Sequence, residues 1–517
     1  PIKRKDYKST LTHANFERYL SNLEKKILKL KKKQNTEFGQ TTYFGVMPDW
    51  NPAEIIGKKP KPLSLSLYRE LITDHVWSEN RYNYGFQDIS QFHLMTTFYN
   101  TPFIDVKVDF NSWIPRDLTK QTKVKLINFY LNKFGKNKFL HDKIEKEIIY
   151  SCYSVNLEKK IKFDLKKKFS KKEILKIIFC LKKINNLSIE EKNKDLNKIK
   201  NLIDKQKKIE GSNMYFFDKI YWHIENCKKF GTLPFAGLAR CGFIAIEIID
   251  SFVKNKIFTN DDKNKFLQSV KTISSELSED FNNLNKSKFL SKYGHLRPNS
   301  YEISSPNYNS AYNKLFKKRK VTSPKKNKFY FSEIQKKQII RFIRKFNKKI
   351  TFTKFIDFLK ESIRDREYSK FIFMKSIDLV FNNLKSFAKK HKIEANSLSY
   401  LKINDITDFY YNLNSSTAAS QIKEMIKKNK IEYLNNYYID LPDVILSPKD
   451  LYIVKIPEDH PNYITDKTCE GDLLKLNLGR NIDLSNKVIC IENADPGYDF
   501  IFSHKIKGLI TKYGGFN

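Results

Sequence analysis

Helical spacing of apolar positions dominates the chain. Phe16, Leu20, Leu23, Ile27 and Leu30 recur every three or four residues with lysines between them, which predicts an amphipathic surface helix over 16–33. The pattern returns over the lysine-rich 155–210 region. There Ser170-x-x-Glu173 and Ser188-x-x-Glu191 have capping-box spacing and predict two helix starts. A helix from Tyr215 is expected to end near Gly231, with Pro234 opening the next at a first-turn position. That next helix, 235–253, is apolar nearly all round and is expected in the core. Pro62 to Tyr84 reads as a helix rich in aromatic and charged residues, and 355–390 as one or two long helices.

Strand signals are fewer. Residues 42–46 and 443–457 read as strands, and between them 103–110 alternates strictly. Period two puts Ile104, Val106, Val108 and Phe110 on one face and Asp105, Lys107 and Asp109 on the other. A half-buried strand accounts for this; the functional alternative is a polar cleft lined by Asp105, Lys107 and Asp109. At the far end, 488–491 and 507–511 each read as a short buried strand. Asp495-Pro496-Gly497 is a turn between them, and 498–504 has room for about two helical turns. The unit is strand–turn–helix–strand. Gly514 and Gly515 then let the backbone bend sharply and lie against a ligand.

Composition adjusts this picture. The 517 residues predict roughly three domains with ample core, at 40% hydrophobic and 14% aromatic. A formal charge of +39 points in general to nucleic acid or an anionic surface. Here the excess is spread over the chain together with abundant Asn, Ile, Phe and Tyr, so compositional bias is preferred to a polyanion site. Lys317 to Lys328 is read as a solvated linker. The six cysteines form no C-x-x-C and have no zinc-ligand spacing with histidine, which predicts reduced thiols, a cytoplasmic location and no metal held through cysteine. The absence of an uncharged apolar run of about 18 residues predicts no membrane span.

Several polar residues stand out. Arg240 lies inside the apolar 235–253 helix, where a guanidinium needs a protein carboxylate or an anionic ligand. In Gly294-His295-Leu296-Arg297-Pro298, the proline biases Arg297 toward an extended conformation and Gly294 permits a bend. With Glu302 the loop presents imidazole, guanidinium and carboxylate, a set that suits an oxyanion or carboxylate substrate, although a lone loop histidine is as readily structural. Arg364, Arg366 and Glu367 on the 355–390 helix admit a surface ion-pair reading or a substrate-binding one.

Three motifs together carry a family resemblance: Asp495-Pro496-Gly497 followed by Gly514-Gly515, the 48–57 stretch with Asp49-Trp50-Asn51-Pro52-Ala53-Glu54, and Gly294 to Glu302. They resemble the phosphoenolpyruvate-utilising enzymes, which include phosphoenolpyruvate synthase, pyruvate phosphate dikinase and rifampin phosphotransferase. The resemblance implies an α+β chain with a mainly α central domain followed by a truncated α/β swivelling phosphohistidine domain. Residues 1–45 would be the tail of an ATP-grasp nucleotide-binding domain, 46–440 the substrate-binding domain and 441–517 the incomplete swivelling domain. The phosphohistidine would follow Asn517; His504 lies in the wrong part of the motif. The chain therefore reads as a fragment, inactive by itself. An Arg-Glu-bearing helix resembles 364–367, and 404–409 resembles the strand-like stretch after it.

The function implied is an ATP-dependent phosphotransferase that releases AMP and phosphate and passes a phosphoryl group to a small carboxylate-bearing acceptor. ATP and Mg2+ would be bound mainly by the domain not present. Among family variants with Asp-Trp-Asn-Pro-Ala-Glu and Gly-His-Leu-Arg-Pro motifs is the L-glutamine kinase of capsular phosphoramidate synthesis, so the amide of L-glutamine is the preferred acceptor, with its carboxylate on Arg297 or Arg240. Alternatives are pyruvate as acceptor, a non-catalytic remnant, and a basic helical nucleic-acid binder.

Overall fold

The computed structural model describes residues 13–32, 38–316, 328–411, 417–437, 439–452, 461–493 apart from 466, 477 and 479–482, and 495–514. Within these the protein is mainly helical, with one small antiparallel and one small parallel sheet. Three helices form the centre: Lys171–Glu210, Leu233–Lys254 and Phe352–Lys390 pack on one another along their lengths. The capping box at Ser170 and Glu173 forms as the spacing predicts. The one at Ser188 does not. Its hydroxyl donates back to the Ile184 carbonyl inside an unbroken helix, because the apolar stripe runs through this point without a break.

The Phe216–Cys227 helix likewise does not stop at Gly231. A five-residue π turn, Lys228–Thr232, carries it into Leu233–Lys254. The stretch Phe216–Lys254 is long and apolar enough to cross a membrane by composition, yet 83% of its most apolar window is buried inside the body. It is the core helix expected from its all-round apolar sequence. The 62–84 segment is helical but breaks at Asp74 and His75 between Pro62–Tyr68, with the π turn that extends it, and Val76–Asn83.

The antiparallel sheet has β1 (Phe44–Gly45), β2 (Met95–Phe98), β3 (Thr101–Asp105) and β4 (Val444–Ile445) in the order β2-β3-β1-β4. This corrects the strand expected over 103–110. β3 ends at Asp105, whose carboxylate accepts from the backbone N–H groups of Lys107 and Val108 and starts a helix, Val106–Ser112. Every residue of that helix is buried. Asp105, Lys107 and Asp109 therefore share no strand face and line no common cleft. Residues 404–409 are likewise helical, within Ile403–Tyr411. Because β4 pairs with β1, residues 444–445 belong to the sheet of the helical body, past the boundary drawn at 441.

The C-terminal unit follows its sequence pattern closely. β5 (Leu473–Lys475), β6 (Val488–Asn493) and β7 (Gly508–Tyr513) form a parallel sheet in that order, and a 3-10 helix, Pro496–Ser503, crosses from β6 to β7. The unit is seated on the loop around Arg297. A Cβ on Gly497 would lie 1.6 Å from the Arg297 carbonyl oxygen, so only glycine permits this approach. Asp495 accepts from Ser300 N–H and hydroxyl, and Tyr308 donates to the Gly497 carbonyl at 2.9 Å. Gly515 and residues 317–327 of the basic linker lie outside the described residues.

Candidate functional site

The backbone departs furthest from ordinary geometry at Asp49, Trp50 and Asn51. All three are left-handed, with φ of 31°, 50° and 37°. Consecutive non-glycine residues in this region cost on the order of 1 kcal/mol each, so the surroundings must hold them. The Asp49 carboxylate receives Arg81 Nη2 on both oxygens, at 2.8 and 3.0 Å. The Trp50 carbonyl accepts from the buried Tyr68 hydroxyl at 2.6 Å, and Asn51 Nδ2 donates to Glu54 at 2.8 Å. Pro52 then fixes φ for the first turn of Pro52–Ile55.

Behind this loop two arginines share one aromatic ring. The Arg81 guanidinium carbon lies 3.3 Å and that of Arg240 4.9 Å from the Trp113 ring centre. Arg240 pairs with Glu145 at 2.5 Å and donates to the Ser151 carbonyl and hydroxyl, each at 3.1 Å. Trp113 Nε1 donates to one oxygen of Asp109 at 2.9 Å. The other Asp109 oxygen, and Nε of both arginines, are buried without a hydrogen-bond partner among the described residues. Burial, then the nearby Asp49, pushes the Asp109 carboxyl well above the usual carboxylate range. Burial also raises Glu145, against the pull of Arg240. Asp49 and Glu145 each face one of the two arginines.

A cavity of about 50 Å³ lies against this cluster, bounded by Asp49, Asn51, Trp113, Asp142, Glu145 and Phe243. It holds a few water-sized groups. Two guanidiniums stacked on tryptophan, with exchangeable carboxylates at their edge, can take a small anion in place of Glu145 and hold it in a plane. The end of β7 comes close to the same wall. Asn462 Nδ2 donates to Asp142 at 2.7 Å and lies 3.5 Å from the Gly514 carbonyl oxygen.

Of the residues singled out in the sequence, Arg240 and Asp109 lie behind the cavity wall, bonded to its lining residues Glu145 and Trp113. Asp105 caps its helix and receives the Thr42 hydroxyl, and Lys107 is buried in that helix. His295 is buried with Nε2 on the Phe371 carbonyl at 3.0 Å, and burial pushes its pKa down to about 4. Arg297 is enclosed: it forms a buried ion pair with Asp378, donates to the Ser305 carbonyl at 3.1 Å and lies over the Phe381 ring. It presents no free edge to an acceptor, which corrects the pocket role expected of it. Glu302 turns outward to Ser304 and lies 3.7 Å from Lys61. Arg364 pairs with Asp365 at 2.8 Å, and Asp365 also receives the buried Lys192. Arg366 is half-buried, and Glu367 lies beside Thr272 and Ser274 at the start of the Ile273–Asn283 helix.

Sequence reasoning missed Arg81, Trp113 and Glu145, and used 48–57 as a motif of the family resemblance without assigning it a site role. Three turn-forming or bulky residues between Pro48 and Pro52 were the available signal for the strained loop; Glu145 carries none. No protein-family model and no curated protein matches the chain.

Proposed function

We propose that the chain is the acceptor-holding part of an ATP-dependent phosphotransferase that works through a phosphohistidine on a swivelling domain. Its acceptor is a small carboxylate-bearing molecule, with the amide of L-glutamine preferred and pyruvate the alternative. The observation that carries this is the link from Gly514 through Asn462 to Asp142 on the cavity wall. Gly514, which opens the Gly-Gly approach that in the resembling family leads to the phosphohistidine, is joined to the cavity wall through Asn462 and Asp142.

In this reading Arg240 exchanges Glu145 for the acceptor carboxylate, and Arg81, fixed by Asp49 and Trp113, orients it. Phosphorylation of an amide nitrogen requires loss of an N–H proton. In this reading the displaced Glu145 carboxylate, whose pKa burial raises, receives it. The guanidiniums offset charge developing on the phosphoryl oxygens. Asp49 and Glu145 are each taken up by an arginine, so the acids here do not fit a Mg2+ shell; ATP and Mg2+ are assigned no residue of this site.

The test is AMP release by the complete native protein, carrying the nucleotide-binding domain and phosphohistidine that this reading requires, supplied with ATP and Mg2+ and, in turn, L-glutamine, pyruvate or no acceptor. Acceptor-dependent release that falls about 100-fold in Glu145→Gln, with the melting profile retained, is the expected result. Release that is absent with every carboxylate acceptor, or unchanged in Glu145→Gln, would overturn the reading.

A further inference from the structure

A broad groove of about 470 Å³, open to solvent, runs between the Lys120–Lys136 helix and the Leu157–Leu165 helix. Its volume falls in the range of about 300–1,000 Å³ that ligand clefts occupy. Phe129 and Phe163 supply its apolar surface, Lys133, Lys166 and Lys167 its cations, and Asp164 its one acid. None of these residues lines the arginine cavity.

The two rings differ in how they are held. Phe129 is half-buried and stacks on Tyr150, with ring centres 6.4 Å apart and planes at 20°. The Tyr150 hydroxyl donates to Asp164 Oδ2 at 2.6 Å, so this wall and the acid are fixed to each other. Phe163 instead is 71% exposed, and Lys166 Nζ lies 4.8 Å from its ring centre. Lys166 and Lys167 are exposed, and neither forms an ion pair among the described residues. Lys133 Nζ donates to the Glu147 carbonyl and keeps two further donors. An apolar ring left in water beside uncompensated ammonium groups suits a flat aromatic group that carries negative charge. Asp164 adds an acceptor for the N–H groups of a base. From Lys159 to Lys168 there are six lysines and one acid, so positive charge continues along the Leu157–Leu165 helix beyond the groove. A single phosphate makes no use of that length; a chain of phosphates does.

We propose that this groove binds single-stranded nucleic acid, with one base stacked on Phe163 and the flanking phosphates on Lys133, Lys166 and Lys167. The site is independent of the phosphotransferase reading, because it shares no residue with the arginine cavity and binding alone tests it. Stacking on Phe163 requires an unpaired base, so a duplex offers the groove its phosphates only and binds more weakly.

Fluorescence anisotropy of a labelled oligothymidylate of about 12 nucleotides, at about 0.15 M salt, is the primary measurement. The Kd is expected to rise about tenfold in Phe163→Ala and to return to the wild-type value in Phe163→Trp. Lys166→Gln combined with Lys167→Gln should raise it by a similar factor and make the dependence of log K on log salt shallower by roughly 1–2. Lys427→Gln combined with Lys428→Gln removes the same charge from an exposed face of the Ala418–Tyr437 helix and should leave the Kd within about twofold. All five substituted side chains are exposed, so each variant is expected to keep the wild-type melting profile. A Kd equal in wild type and Phe163→Ala, equal losses in the two lysine pairs, or a duplex bound as tightly as the single strand would overturn the proposal. Phosphatidylserine vesicles bound through Phe163, with no binding of the oligonucleotide, would also overturn it and assign the surface to a membrane.

Discussion

The two arginine sites of the helical body differ in what faces their guanidiniums. Around Arg297, protein fills every side: Asp378, the Ser305 carbonyl and the Phe381 ring leave no edge free. At Arg81 and Arg240 the same kinds of partner are present, but one edge of the cluster borders a cavity and its backbone is held left-handed over three residues. The first arrangement spends its electrostatics on joining elements far apart in sequence. The second has the Glu145 carboxylate at the cavity edge and, among the described residues, Nε groups without a hydrogen-bond partner. A motif rich in His, Arg and Glu can therefore be a brace, and a less suggestive one the site.

The sharpest way to break this contrast is Arg297→Met. It strips Asp378 of its guanidinium, leaving Asn307 and Asn382 as its side-chain donors among the described residues. Removing one partner of a buried pair costs about 3–5 kcal/mol, and urea unfolding should show a loss of this size. A loss below about 1 kcal/mol, accompanied by weaker acceptor binding, would return Arg297 to the site.

His295 gives the next largest effect. Its folded pKa is lowered from 6.5 to about 4 by burial, a difference worth roughly 3 kcal/mol. The unfolded chain takes up the proton first. The contribution is therefore complete above pH 6.5 and is lost as pH falls toward about 4. Unfolding free energies measured across that window should slope downward in the wild type and flatten in His295→Gln. An equal slope in both proteins would mean that the ring is not buried neutral.

Much of this architecture was legible because its signals are local. The capping box at Ser170, the all-round apolar helix containing Arg240 and the parallel unit ending at β7 each announce themselves within about 30 residues. The failures have a common cause in burial. The Val106–Ser112 helix is enclosed on all sides, so its polar residues mark no solvent face and mimic strand alternation from Ile104 to Phe110. Ser188 offers a start signal that the surrounding apolar stripe overrides. The candidate site draws Asp49, Arg81, the neighbouring Asp109 and Trp113, Glu145 and Arg240 from five places spread over nearly 200 residues. Only packing brings them together, and no spacing along the chain encodes it.

Asn51→Gly should produce the smallest change in stability and the clearest separation of the two loops. Glycine adopts the φ of 37° without strain, a gain of roughly 0.5–1 kcal/mol, while deletion of the amide loses the bond to Glu54, worth about as much. The two effects oppose each other, so the melting profile should move by no more than about 0.5 kcal/mol. Freed of its side-chain tether, the loop no longer fixes the angle at which Asp49 presents Arg81 to the cavity. Acceptor KM should then rise about tenfold. At Arg297 the loop carries stability without exposing a binding edge; at Asn51 the expected dependence is reversed. Parallel melts and acceptor titrations of this one variant check it, and an unchanged KM would mean that the strained backbone is not what aims the arginines.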